Sequence, residues 1–415
     1  VLRTIIVGKF GSPGVAKGKI VIVKGLKDLE KVSEGSIVVI KEPNPVMLTK
    51  AALNGANGFV IEYAGRTSHA TIISRELGIP CIAGAINATS LLTNGQKVTV
   101  NGSKAQIYDE YVSIKHLPFS KKVKLRTETK VKVNLSFPKL APLIAPLSDG
   151  IGFLRLEFIV LSIGEHPVSY IKKGKEAEYS KKIANSLEKI VKPFYPKPVW
   201  IRTLDIPTEE YNLLKGAEDE PFESNPMLGW RGIRRDLDDL RLLKLQYLAI
   251  KHLVNIGYDN LGIFYPLAQH VDEYVKARRF AERLGIGKEK NLKFGIMVET
   301  PACALTIDKF IKKGIDFVIF GTNDLTQLTL GVDRDNPKVS KLFNERHEAV
   351  IKLISYVIKK CKKNKIESCI GGQAASEAGF VKRLIKLGIS SFSVSPDALL
   401  SIRKLIYKEE RKLKK

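Results

Sequence analysis

Along residues 1–112 the apolar positions come in short β-like bursts: KGKIVIV, GSIVVIK, NGFVIEY, QKVTVNG and AQIYD. Turns rich in Gly, Asn and Ser separate them. One helical pattern interrupts, Ser68–Leu77, and GIP stops it. From about Thr129 the rhythm changes. KVKVNL (130–135), GIGFLRLEF (150–158), VWIRTLD (199–205), LGIFYPL (261–267), FGIMVET (294–300), FVIFGTN (317–323), SCIGG (368–372) and SFSVSP (391–396) alternate with helix-length segments such as VDEYVKARRFAERLG. The pattern predicts a small β-rich α/β domain over 1–112, a linker or hinge over 113–128 and a (β/α)8 TIM-type barrel over 129–415. A doubly wound open sheet is the alternative packing of the same alternation. No short repeat and no low-complexity stretch stands out.

Composition narrows the class. The chain has 415 residues, 44% hydrophobic and 27% charged, which reads as globular rather than disordered. No run of about 18 apolar residues offers a membrane-spanning helix. The start, VLRTIIVGKFGSPG, lacks the apolar region of a signal peptide and lacks a Met, so either a processed chain or a piece of a longer one is expected. Cys81, Cys303, Cys361 and Cys369 form neither a CxxC pair nor a zinc spacing, and a reducing cytoplasm is the expected location. Net charge is +25. A nucleic-acid partner would explain that, but no nucleic-acid motif is present. A Lys-rich surface with sites for small phosphorylated anions explains it as well and is the expectation retained. The basic run Lys121–Lys132 reads as an interdomain strand or linker. KEERKLKK reads as the solvated end of a last helix.

In the small domain one string carries chemistry: GRTSHATIISRELGIP, residues 65–80. Gly65 permits a tight entry, and Thr67 or Ser68 can cap a helix beginning near His69. A helix start favours phosphate, and an imidazole there is a possible nucleophile. A histidine at a helix start is more often structural. The whole string, however, resembles the phosphohistidine motif of the phosphoenolpyruvate (PEP)-utilising enzymes, and GSPGVAKGKI resembles the entry into the same domain. The resemblance implies that His69 is phosphorylated and that Thr67 helps hold the phosphoryl group. Ala64 stands where the family usually has a second Gly.

Barrel active sites sit at the C-terminal strand ends. Glu299 ends one run and Asp324 follows the next, so the two carboxylates could share a Mg²⁺ with substrate oxygens and water, or Asp324 could simply cap a helix. Arg155 and Arg202 end GFLR and WIR. Arg231 lies in NPMLGWRG and Arg334 in GVDRDNP. Guanidinium forks suit phosphate and carboxylate, though Glu157 and Asp205 offer them salt bridges instead. GIGFLRLEF, WIRTLD, NPMLGWRGIR, IMVETPACAL and FGTNDLTQLTLGVDRDN resemble the PEP/pyruvate barrel of the same family. SIGEHP and TEEY followed by ESNPMLGWRG resemble its PEP synthases in particular. This implies that Arg155 and Arg202 grip the transferring phosphate, that Arg231, Arg334 and Asn323 contact substrate, and that Glu299 and Asp324 bind Mg²⁺. It further implies PEP and pyruvate as substrates, a swinging small domain hinged near Lys121–Lys132, and a homo-oligomer.

Two features depart from the pattern. The family moves the enolate proton with a Cys in a string like ICGQAPS; here IGGQAAS (370–376) puts Gly371 at that position, with Cys369 two residues before it. The family's synthases also need an ATP-binding domain, and no segment of this chain reads as one. Three readings follow: phosphoryl transfer between PEP and His69 as part of a PEP synthase; a PEP-dependent protein phosphotransferase; and a PEP-binding or assembly protein whose catalysis is impaired at Gly371.

Overall fold

A computed structural model describes residues 3–63, 69–112, 125–287, 291–334, 336, 338–372 and 374–414, with the backbone alone at His69. It divides into two units, Val1–Lys122 and Val123–Lys415. Of the linker expected over 113–128, residues 113–124 lie outside the described residues.

The small unit is built on one sheet of eight strands. They are β1 (Thr4–Val7), β2 (Lys9–Ser12), β3 (Val15–Val23), β4 (Ser36–Ile40), β5 (Ala56–Ile61), β6 (Cys81–Ala83), β7 (Lys97–Asn101) and β8 (Gln106–Asp109). Their order is β1-β8-β7-β3-β4-β5-β6-β2. The centre, β3 to β6, is parallel, and both flanks pair antiparallel. All five bursts read from the sequence are strands. β1, β2 and β6, of four, four and three residues, were not read from the sequence. Central burial explains the Val/Ile runs: Ile37, Val39, Val60 and Ile82 are fully buried in one cluster. The helix Pro45–Leu53 starts where Asn44 accepts from the Met47 N–H at 2.8 Å, with Pro45 at its first position.

The second unit is a closed barrel of eight parallel strands. These are β9 (Lys130–Asn134), β10 (Ile151–Arg155), β11 (Val199–Arg202), β12 (Leu261–Tyr265), β13 (Lys293–Val298), β14 (Phe317–Phe320), β15 (Glu367–Ile370) and β16 (Ser391–Val394). β16 pairs with β9, which closes the ring and excludes the open sheet. Each predicted run supplies one strand, but GIGFLRLEF is shorter as a strand than it reads. It ends at Arg155, and Leu156–Ile163 forms a buried helix. Lys130 and Lys132, read within an interdomain basic run, belong to β9.

The barrel interior is filled by Phe153, Trp200, Phe264, Met297, Phe317, Ile319 and Cys369. Trp200 stacks on Phe317 at 3.9 Å between centroids. On the other side of the indole, Lys132 Nζ lies 3.1 Å from the ring centroid and 2.7 Å from Glu367 Oε1. The cation is thus held by a π-face and a carboxylate, which is how a lysine tolerates near-complete burial. Burial lowers its pKa.

Candidate active site

The helix His69–Leu77 begins at the predicted histidine. Ala64, Gly65, Thr67 and Ser68 lie outside the described residues, as does the His69 side chain. Of the histidine expected to carry the phosphoryl group and the threonine expected to help hold it, only the His69 backbone is described, at the start of that helix.

At the C-terminal strand ends of the barrel the predicted arginines and acids come together. Arg202, the last residue of β11, is buried and donates to Glu157 Oε1 at 2.9 Å, with Asp205 Oδ2 at 3.2 Å. Glu157 Oε1 also accepts the Asp205 N–H at 2.7 Å. Asp205 in turn takes a two-pronged contact from Arg231, 2.7 Å from Nε and 2.6 Å from Nη2. Arg231 Nη1 lies 4.0 Å from Asp324 Oδ1, and Arg334 Nη1 lies 3.9 Å from Asp324 Oδ2. Burial opposes the charge of Arg202 and of Arg231, but the surrounding acids outweigh it and both pKa values move up. The guanidinium carbons of Arg155 and Arg202 sit 4.6 and 5.1 Å from the Phe153 centroid, so one ring supports both. The salt bridges foreseen for these arginines thus form, and they align the guanidiniums in one row.

Glu299 follows β13 directly and is fully buried. Its Oε1 accepts the Leu267 N–H at 2.6 Å, while Oε2 has no hydrogen-bond partner. Burial, then Asp324 and Asp205, push this carboxyl well above the usual carboxylate range. Gly321, just past β14, makes room for it: a Cβ there would lie 2.6 Å from Glu299 Oε2. Asp324 is not the helix cap that the alternative reading supposed. Gly321 occupies the cap position, and Asp324 and half-buried Asn323 stand in the first turn of Thr322–Leu330. A buried carboxylate oxygen with an open acceptor position, electrostatically coupled to a second carboxylate, suits a hard cation such as Mg²⁺. Among the described residues no group of three or more His, Cys, Asp or Glu assembles. The remaining coordination positions would therefore fall to water and substrate.

Gly371 follows β15 and faces the same mouth. A Cβ there would meet Phe153 Cδ1 at 3.1 Å, so the ring fills the space beside it. Cys369 is fully buried in the core cluster with Phe153, and burial pushes its thiol up to about 11. Residues not singled out from sequence also join the site. Phe153 reads as one more apolar strand residue. Glu210, in the quoted TEEY, is pushed by burial up to about 7. Glu345 accepts from Thr322 Oγ1 at 2.5 Å; it lies more than twenty residues beyond Thr322, and no local pattern links the two.

Fold and site together define a (β/α)8 barrel whose mouth gathers arginines around two cation-suited carboxylates. Residues 115–411 match the family model described as PEP-utilising enzyme, PEP-binding domain, and residues 32–105 match PEP-utilising enzyme, mobile domain. The chain belongs to the PEP-utilising enzymes. It is 46% identical to a phosphoenolpyruvate synthase of Pyrococcus furiosus over 99% of this chain and 52% of that one. It is 43% identical to a probable phosphoenolpyruvate synthase of Archaeoglobus fulgidus, over 99% and 55% respectively, and 33% identical to a phosphoenolpyruvate synthase of Aeropyrum pernix, over 99% and 53%. The chain spans about half the length of these curated relatives.

Proposed function

We propose that this chain transfers a phosphoryl group between PEP and His69, as the PEP-handling part of a phosphoenolpyruvate synthase. The observation that carries this reading is the row Arg202–Asp205–Arg231–Asp324–Arg334 beside Glu299 at the barrel mouth. Phosphoryl transfer needs little covalent help from a protein. It needs in-line positioning and positive charge on the equatorial oxygens. Arg155 and Arg202, both beside the Phe153 ring, would grip the phosphate; Arg231 and Arg334 would stand near the phosphate and carboxylate, and Asn323 would touch the substrate. Thr67 would steady the phosphoryl group on His69. Glu299 and Asp324 would hold Mg²⁺, which when bound supplies positive charge to offset the enolate oxygen. In the complete reaction pyruvate, ATP and water give PEP, AMP and phosphate. That requires an ATP-binding domain beyond this chain, as the half-length match to relatives supports. A hinge near 113–128, a cytoplasmic setting and a homo-oligomer complete the proposal.

Gly371 favours a second reading, a PEP-binding relative impaired at proton transfer. Incubation with radioactive PEP and Mg²⁺, with free pyruvate assayed in the same tube, separates the two. Label is expected on the wild type, and neither on His69→Ala nor on a chelated control. Label with stoichiometric pyruvate supports the first reading, label without free pyruvate places the defect at proton transfer, and a folded wild type that binds PEP and takes no label would overturn transfer.

A further inference from the structure

The enolate formed when PEP loses its phosphoryl group must take up a proton at C3. Cys369 is poorly placed to give it: it lies within β15, among the apolar side chains that fill the barrel, and Phe153 fills the space at Gly371. A different proton carrier stands beside the same turn. The Thr322 side chain, itself buried at the first turn after β14, donates to Glu345 Oε1 at 2.5 Å. A Cβ on Gly372 would sit 3.5 Å from that hydroxyl oxygen, so the hydroxyl borders the Gly371–Gly372 turn in ordinary contact distance. Gly372 has φ +79°, a conformation that keeps this turn free of side chains. Glu345 is half-buried on the turn before the helix Glu348–Lys363.

We propose that Thr322 and Glu345 form a proton relay that serves C3 of pyruvate and its enolate in place of a thiol at position 371; this rests on the PEP/pyruvate reading of the site. In the direction of enolate formation the C3–H bond breaks and its electron pair becomes the C2–C3 π bond. Thr322 Oγ1 takes that proton as its own passes along the existing hydrogen bond to the Glu345 carboxylate. The carboxylic acid so formed exchanges with solvent at the half-exposed turn. In the reverse direction the same atoms protonate the enolate. The surroundings suit a carboxyl that changes state. Burial raises its pKa, the Thr322 bond lowers it, Glu377 raises it, and Arg334 and Arg346 lower it, with a net upward shift. Thr322 touches substrate in this scheme, and Glu345 acts through it.

The test is exchange of pyruvate methyl protons in D₂O, followed by proton NMR, with the full chain, Mg²⁺ and inorganic phosphate. PEP binding is measured in parallel by tryptophan fluorescence. Wild type should exchange above the buffer rate. Glu345→Gln and Thr322→Val should each lose about a hundredfold or more while PEP affinity stays within about twofold. Thr322→Ser should keep most of the exchange, and Cys369→Ala should match wild type. A merely structural role for the pair would weaken PEP binding along with exchange. Glu345→Gln exchanging at the wild-type rate, Cys369→Ala losing exchange, or a wild type that binds PEP without exchange would each overturn the relay. A wild type that neither binds PEP nor takes label on His69 overturns the functional reading itself, and the relay with it.

Discussion

The charges of the barrel mouth stand at strand ends and hold one another across several loops. Arg155, Arg202, Glu299 and Asp324 stand at strand ends or just past them, and a barrel makes such positions functional. That Asp205 binds two arginines at once depends on how the chain returns after β11. The partnership of Thr322 with Glu345 is likewise long-range in sequence. The same limit applies to Asp236, which reads as one acid in a charged helix. It is 2% exposed, its Oδ1 accepts from Gln246 Nε2 at 2.8 Å, and burial pushes its carboxyl up to about 8. Between about pH 4 and 8 the unfolded chain has released this proton and the folded chain has kept it. Stability tied to Asp236 therefore falls as pH rises through that window, at a limiting slope of about 1.4 kcal/mol per pH unit. Asp236→Asn keeps an acceptor for Gln246 and removes the titration. Urea midpoints at pH 5 and pH 8 should show the variant gaining on wild type toward pH 8. Parallel changes in both proteins would refute a buried proton there.

At the scale of elements, the strands of the barrel were legible because central parallel strands are continuous apolar runs. The stretch from Asn212 to Gly232 was legible only as a motif. It is longer than most loops in compact domains, and such loops tend to serve function. Its geometry comes from one clamp. Arg235 grips Glu220 with both terminal nitrogens, Glu220 also meets His166 Nε2 at 3.1 Å, and the guanidinium lies 4.1 Å from the Tyr211 ring and 4.2 Å from the Trp230 ring. Glu223 adds bonds from Thr208 at 2.8 Å and from the Trp230 N–H at 2.7 Å. Arg231 follows Trp230, so the clamp sets where that guanidinium stands. Arg235→Met keeps the apolar stem and removes the fork, leaving a buried acid short of its partner. Loss of one member of a buried pair costs roughly 3–5 kcal/mol, so the barrel's unfolding midpoint should drop. PEP affinity should weaken about tenfold, or about 1.4 kcal/mol, as followed by titration of tryptophan fluorescence. An unchanged affinity would mean that the Asp205 contact alone positions Arg231.

At the scale of the molecule, the change of rhythm near Thr129 marked the second unit, and the count of eight alternating runs matched the eight barrel strands. Closure was not written in any single run, since it depends on β16 finding β9 across nearly the whole barrel sequence. The net charge of +25 was legible at once but ambiguous, since a basic surface serves nucleic acid and small anions alike. The barrel mouth gathers buried arginines held by acids, a setting in keeping with the small-anion site proposed above. For such a site the excess charge acts mainly at long range. It draws a multiply charged ligand in, and salt screens that attraction over a Debye length of about 10 Å at 0.1 M. Short, partly buried contacts at the mouth are screened far less. The association rate of PEP should therefore fall about tenfold between roughly 10 mM and 300 mM salt, while the dissociation rate changes by less than about twofold. Stopped-flow fluorescence resolves the two rates. A salt dependence carried by dissociation instead would place the effect in the contacts themselves and deprive the overall charge of a steering role.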